Sequence, residues 1–242
     1  MRRGRSSLPR RDRSEHSGSV RDVLTGPDFP NTKRVRLIGR AKSAVGDVIH
    51  RSREVALLWA AIGPDTKRGR RFGAFGRRSV ICFPPNTIMN EQYIQIGSGT
   101  MIGPHVSLSA GMVPGQECVT NPVVKIGDRC LIGRGSGIVG HLAIEIGNDV
   151  WTGHYVYITD QNHGYDDPEL PISQQLQPEQ PVTIGDGSWL GHGTVVLPGA
   201  QIGRHVVIGA NSVVTGVIPD YCVAVGAPAK VIRRTNHEQP PT

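Results

Sequence analysis

Aromatic side chains make up only 5% of this 242-residue chain, its four cysteines form no CxxC pair, and no apolar run approaches the length of a membrane span. Each scarcity excludes a class. Without an aromatic platform or a DNA-binding motif, nucleic-acid recognition is disfavoured despite a net charge of +7. Cys82, Cys118, Cys130 and Cys222 share no close spacing, which argues against a zinc site or a disulfide framework. No apolar core follows the arginine pairs near the start, so the opening segment does not read as a secretory signal, and the chain is expected to be cytoplasmic and reduced.

What the chain has instead is glycine, 31 residues of it, and a period. An aliphatic residue recurs every six positions in five triplets: Ile96, Ile102, Leu108; Ile126, Ile132, Ile138; Ile146, Thr152, Ile158; Ile184, Leu190, Val196; Ile202, Ile208, Val214. Thr152 is the single exception. Glycine follows the first and second member of every triplet and never the third, so the true period is eighteen residues. A hexad repeat of this kind is the signature of a parallel β-helix, in which each hexad gives a strand and a turn and three close one triangular coil. The fold class expected is all-β, with about five coils rising ~4.8 Å each to a prism roughly 24 Å long. The position four places after an aliphatic is often small or branched, Cys130 among them, as suits a narrow interior.

The repeat breaks in three places, each after the third hexad of a coil: before Ile126, before Ile146 and before Ile184. Third hexads stack along one side, so all inserted segments should emerge on one edge, the usual place for a binding face. The organisation expected is a disordered basic arm over 1–40, a helix and basic linker over 41–80 with the helix from Ala41 to Ile62, a β-helix domain over 81–234 with loops 109–125 and 160–183, and a tail over 235–242. The basic excess lies outside the repeat: residues 1–80 hold 20 Lys and Arg against 7 Asp and Glu, while residues 81–242 hold 7 against 13. Attraction of this arm to an anionic membrane face or an acidic polymer is one reading. A solvated tail with a helix packed on the prism's end is the other, and the plainer.

The longest insertion is polar and contains Asp160, Asn162, His163, Tyr165, Asp166 and Asp167. A loop of this length inside a compact repeat is usually functional or disordered. A histidine at the root of such a loop can take a proton from an acceptor hydroxyl near neutral pH, or it can be plain surface.

The hexads, the segment Asp160-Gln161-Asn162-His163-Gly164-Tyr165, the run from Ile184 to Gly191 and the ending from Val225 to Arg233 resemble the maltose/galactoside O-acetyltransferase branch of the left-handed β-helix, hexapeptide-repeat acyltransferases. The resemblance covers residues 80–234 and leaves out the basic arm. It implies a left-handed coil, a homotrimer with its sites between subunits, and acetyl-CoA as acyl donor with no metal. By correspondence His163 is the general base, and the backbone N–H of His192 is the oxyanion donor. Trp189, Gly191 and Ala210, with Lys230 and Arg233 near the phosphates, answer to the CoA site. Asp160, Asn162, Tyr165, Trp151 and His141 answer to the acceptor site. Gly216 stands where the family often has a phosphate-contacting lysine. Gly135 and His141 stand where galactoside-type members use an asparagine and an acidic residue, so the acceptor implied is another sugar, a polysaccharide or a glycolipid precursor. Serine acetyltransferase-like chemistry and a non-catalytic β-helix scaffold are the alternatives. The histidine spacing lacks the pairs of the metal-dependent carbonic anhydrases that share the coil.

Overall fold

The computed structural model describes residues 33–175 and 178–235, with side chains from residue 42 onward. The first 32 residues of the expected arm and residues 236–242 of the tail lie outside the described residues. Helix α1 spans Lys33–Trp59. It therefore takes in residues 33–40, which the composition assigned to a disordered arm; Val35, Leu37 and Ile38 give that stretch the apolar content its basic neighbours hide. The helix also ends short of Ile62, because Ile62 is drawn into the core, 6% exposed, through a backbone bridge to Ile81. The chain divides into two compact units, up to Ser52 and from Arg53 onward.

From Ala74 onward the chain winds through three sheets whose strands succeed one another in rotation, every pair parallel except the last. All fifteen hexad positions are at most 4% exposed. Their register is the predicted one: Ile96 lies over Ile126, Ile126 beside Ile146, Ile146 beside Ile184, and Ile184 beside Ile202. Each buried isoleucine contributes about 1.5–3 kcal/mol relative to an exposed one. Thr152 fits the same interior because its hydroxyl accepts the Gly133 N–H at 2.8 Å.

The prism is longer than the five coils that the repeat spells out. A coil precedes them, built from β1 (Ala74–Phe75), β2 (Val80–Ile81) and β3 (Ile88–Met89). A partial coil follows, with β19 (Val217–Ile218) and β20 (Cys222–Val225), and β21 (Lys230–Arg234) folds back antiparallel onto β20. The end coils escape the hexad count because their spacing is irregular: Ile218 pairs beside Ile202 only sixteen positions on.

Between the first and second sheets, the turns form a ladder of side-chain acceptors. The backbone N–H groups of Ser98, Asp128, Asn148 and Arg204 donate to the carboxylate or amide oxygens of Asp128, Asn148, Asp186 and Asp220, at 2.6 to 3.0 Å. Inside, Ser79, Thr100 and Ser188 hydroxyls link successive coils, and Cys130 occupies the same column with its thiol 3.0 Å from the Gly147 carbonyl.

Candidate active site

The corner between the second and third sheets lacks the ladder that seals the first. Its turns carry Arg134, His154, His192 and Ala210, all exposed, and none of their backbone N–H groups has a hydrogen-bond acceptor among the described residues. Glycine before each of these positions lets neighbouring coils close up: a Cβ at Gly191 would stand 2.5 Å from the Ala210 nitrogen, and one at Gly153 2.6 Å from the His192 nitrogen. The result is a row of N–H donors without acceptors on exposed turns, one per coil, able to take carbonyl oxygens or a developing oxyanion. His192 and Ala210, assigned separately in the sequence, are neighbours in this row.

Around His192 lies a group of rings that sequence reasoning missed. The Tyr155 ring is 5.6 Å from the His192 imidazole and His154 is 6.5 Å from it, all meeting edge to face. Tyr155 is 56% exposed and covers Gly135 so closely that a Cβ there would be 2.5 Å from its ring. The signal lay in the hexad column, where Tyr155 occupies the position held by Gly135 and Gly193 on the coils either side.

Trp151 and Trp189 are register partners on β11 (Trp151–Thr152) and β14 (Trp189–Leu190), with both indoles facing out at 56% and 50% exposure. Lys230 and Arg233 belong to the same sheet, on its last strand, exposed and without an ion-pair partner among the described residues. The residues assigned to CoA thus gather on one sheet and the corner beside it.

The inserted segments emerge together on the third corner. The first loop is gripped by Asn90, whose amide donates to the Ala110 and Val113 carbonyls and accepts the Gly115 N–H. The long loop closes at its root, where the Gln180 N–H donates to the Asp160 carbonyl at 2.9 Å. Inside it, Gln175 bonds the backbone of Asp167 and Leu170. Glu179 then reaches His141, Oε1 to Nδ1 at 3.3 Å, which ties the last insertion to the second, while burial and then the Glu179 charge push the Cys118 thiol of the first insertion up.

Two sequence assignments change on this edge. Asp160 is wholly buried and its carboxylate accepts the N–H groups of His141, Leu142 and Ala143, so it fixes the loop root and has no face for an acceptor. The His141 side chain is 9% exposed and engaged by Glu179, which makes it a brace across the inserted segments. Asn162, His163 and Tyr165 are exposed on the loop, and the Asn162 amide oxygen takes the His163 N–H at 2.9 Å. His163 and the His192 N–H therefore occupy different corners of one prism. No group of three or more His, Cys, Asp or Glu among the described residues is arranged to hold a metal ion.

Comparison with known proteins places this architecture. Residues 181–216 match the bacterial transferase hexapeptide (six repeats) family, and residues 123–159 match the hexapeptide repeat of succinyl-transferase. The fold, a left-handed parallel β-helix, is shared with AntD, an N-acyltransferase from Bacillus cereus solved with dTDP-4-amino-4,6-dideoxyglucose and coenzyme A, at a TM-score of 0.61 and 19% identity over 74% of this chain and 92% of that one. WbbJ of Escherichia coli, named for O-acetyl transfer in lipopolysaccharide biosynthesis, is 43% identical over 103 residues, 40% of this chain. The chain spans about half or less of two of the curated relatives it matches, 53% of WbbJ and 37% of an acetyltransferase from Mycobacterium tuberculosis. It spans more of the galactoside O-acetyltransferase of Escherichia coli: 30% identity over 155 residues, 62% of this chain and 68% of that enzyme. The chain belongs to the hexapeptide-repeat acyltransferases, on their maltose/galactoside O-acetyltransferase-like branch.

Proposed function

We propose that this chain is an acetyl-CoA-dependent O-acetyltransferase acting on a hydroxyl of a sugar, polysaccharide or glycolipid precursor. The observation that carries the reading is the uncapped row of backbone N–H groups at His154, His192 and Ala210, set against a sealed row on the neighbouring corner. A corner that spends no side chains on its donors is preorganised for an extended ligand with carbonyl groups, as the pantetheine arm of CoA is. Trp189 and Trp151 offer apolar ring faces beside it, and Lys230 and Arg233 supply charge for the phosphates.

In the reaction, His163 Nε2 or Nδ1 accepts the proton of the acceptor hydroxyl as its oxygen attacks the thioester carbonyl. The His192 N–H takes the negative charge that develops on that carbonyl oxygen. Collapse breaks the C–S bond, and the proton held by His163 passes to the departing thiolate, giving ester and free CoA. No acyl-enzyme forms.

The base and the oxyanion donor sit on different corners of one chain, so a complete site calls for the third corner of one prism to face the second corner of another. A homotrimer with its sites between subunits satisfies this. The acceptor differs from a simple galactoside: the Tyr155 ring fills the space over Gly135 where galactoside-type members carry an asparagine, and His141 is committed to Glu179. The names of relatives, galactoside and lipopolysaccharide O-acetyl transfer, favour a carbohydrate.

The test is thiol release from acetyl-CoA against a panel of sugars, nucleotide sugars, oligosaccharides and serine. A carbohydrate should be preferred, and His163→Ala should lower kcat by about 10²–10⁴-fold with the melting temperature unchanged. Full activity of that variant removes His163 from the mechanism; preference for serine replaces the acceptor class; no release with any acceptor leaves a scaffold.

A further inference from the structure

Helix α1 leaves an ordered set of apolar side chains in water. Val45, Val48, Ile49, Val55 and Trp59 are between 53% and 87% exposed. At 100° per residue these five, with Ser52 and Ala56, fall within an arc of about 120°. Leu58, 77% exposed, lies outside it. From residue 42 onward the charged residues are sorted about the arc: Lys42 and Arg53 stand just beyond one edge and Arg51 beyond the other, while Asp47 and Glu54 lie opposite, near the middle of the polar face. No helix among the described residues is long and apolar enough to cross a membrane.

Within the helix itself these side chains have no apolar partner and stand exposed. Two occupants could cover such a face. A second copy of the helix is disfavoured by charge. The apolar spacing 45, 48, 52, 55, 59 suits a helix pair, but Ser52 sits at its centre, and α1 holds seven Lys and Arg against two Asp and Glu, so two copies would bring like net charge together. A bilayer with anionic headgroups matches the arc and the charges about it, leaving only Leu58 outside. Its acyl boundary takes the apolar arc, its phosphates meet bases at both edges, where long side chains reach outward, and the acids point to water. Trp59, at the end of the arc, is of the type that settles at the headgroup level.

We infer that α1 is a surface-lying membrane anchor: it binds in the plane of an anionic bilayer, with Val45, Val48, Ile49, Val55 and Trp59 in the acyl boundary and Lys42, Arg51 and Arg53 on lipid phosphates. This is independent of the acyl-transfer reading.

The full-length protein is sedimented with phosphatidylcholine vesicles, and with vesicles in which a quarter of the lipid is replaced by phosphatidylglycerol. Binding to the anionic vesicles should exceed that to neutral ones by about tenfold or more at ~0.1 M salt and weaken as salt is raised. Val48→Asp with Ile49→Asp should remove most of it, and Arg51→Gln with Arg53→Gln should reduce it while leaving α-helical circular dichroism in place. Thiol release on a soluble acceptor, where found, should be unaffected by either pair. Equal binding to both vesicle types, or none, overturns the inference. So does unchanged binding of the Val48→Asp, Ile49→Asp protein. A fall in oligomer mass of that variant without lipid would instead assign the face to a second copy. Retention on a soluble polyanion that is insensitive to the two aspartates would assign the charge to an acidic polymer.

Discussion

The carboxylate of Asp160 accepts the His141 backbone N–H at 2.8 Å and, through its second oxygen, the N–H groups of Leu142 and Ala143 at 2.8 and 2.7 Å. One fully buried acid thereby fastens the long loop to the short insertion that follows β9 (Gly137–Gly140) on the coil before. His163 stands three residues on in the same loop, so its position depends on this anchor.

Asp160→Ala should therefore act on stability and on turnover together. It strands three N–H groups on half-buried residues, and hydrogen bonds to a charged group are worth about 1.5–3 kcal/mol each before relaxation. A loss of about 3 kcal/mol is expected in denaturant unfolding, together with a fall in kcat. Asp160→Asn should recover only part of it, because in either orientation the amide keeps one acceptor oxygen and sets its NH2 against a backbone N–H that the other carboxylate oxygen accepts. If stability holds while activity is lost, Asp160 contacts substrate after all.

The contrast between Asp160 and His163 marks how far the sequence could be read. The coil was legible because hexad aliphatics and glycines are local, repeated evidence, and fifteen positions in register constrain one another. The single working edge was legible because insertions shift the count. Burial within a loop leaves no such trace: Asp160 and His163 are both polar residues in one polar stretch, yet one is buried in a backbone clamp and the other exposed. Pairings across long separations were equally silent. Nothing near Glu179 in sequence points to His141 or Cys118. The first and last coils were missed because the spacing lapses there while the register holds, with seven residues from Ile81 to Ile88 and sixteen from Ile202 to Ile218.

Gly135 and Tyr155 should behave as a coupled pair. Gly135 has φ +71°, and a Cβ there would strike the Tyr155 ring. A left-handed conformation costs a residue with a side chain about 1–2 kcal/mol, so Gly135→Ala should destabilise by at least that much. Adding Tyr155→Ala removes the collision but not the backbone cost. The double variant should therefore be less destabilised than the sum of the singles, a coupling readable in a thermal-melt cycle. Additive losses would mean that the ring does not rest on Gly135.

On the sealed corner, the Arg129 guanidinium grips Asp149 with two bonds of 2.7 Å and holds its carboxyl below the usual carboxylate range. A depressed folded-state pKa gives stability that is present above the unfolded value and lost as pH falls through the folded one. Both side chains are at least half exposed, so the contribution is small and weakened by salt. Arg129→Ala should lower the melting temperature slightly at pH 7 and progressively less as the pH drops below the carboxylate range. A difference from the parent protein that stays constant down to strongly acidic pH would assign the loss to packing of the arginine stem.

Cys118 offers a direct reading of whether the first and last inserted loops meet. Burial raises its thiol pKa most, and the negative charge of Glu179 raises it further. Thiolate is the species that alkylates, so Glu179→Gln, by removing the second cause, should lower the pKa and speed iodoacetamide labelling of Cys118 by a small factor, several-fold at most. Cys130 supplies the internal control. It is 2% exposed, its own pKa is raised by burial, and it should resist labelling in both proteins until they unfold. The rate in the variant carries a second message, because Glu179 also engages His141 at 3.3 Å. If the carboxylate acts on Cys118 only through its charge, the acceleration should shrink at high salt, where exposed charges are screened. If the acceleration persists at high salt, Glu179→Gln has instead loosened the brace and opened the loops. An unchanged rate would mean that Glu179 does not sit against the first loop, and that the inserted segments share an edge without touching.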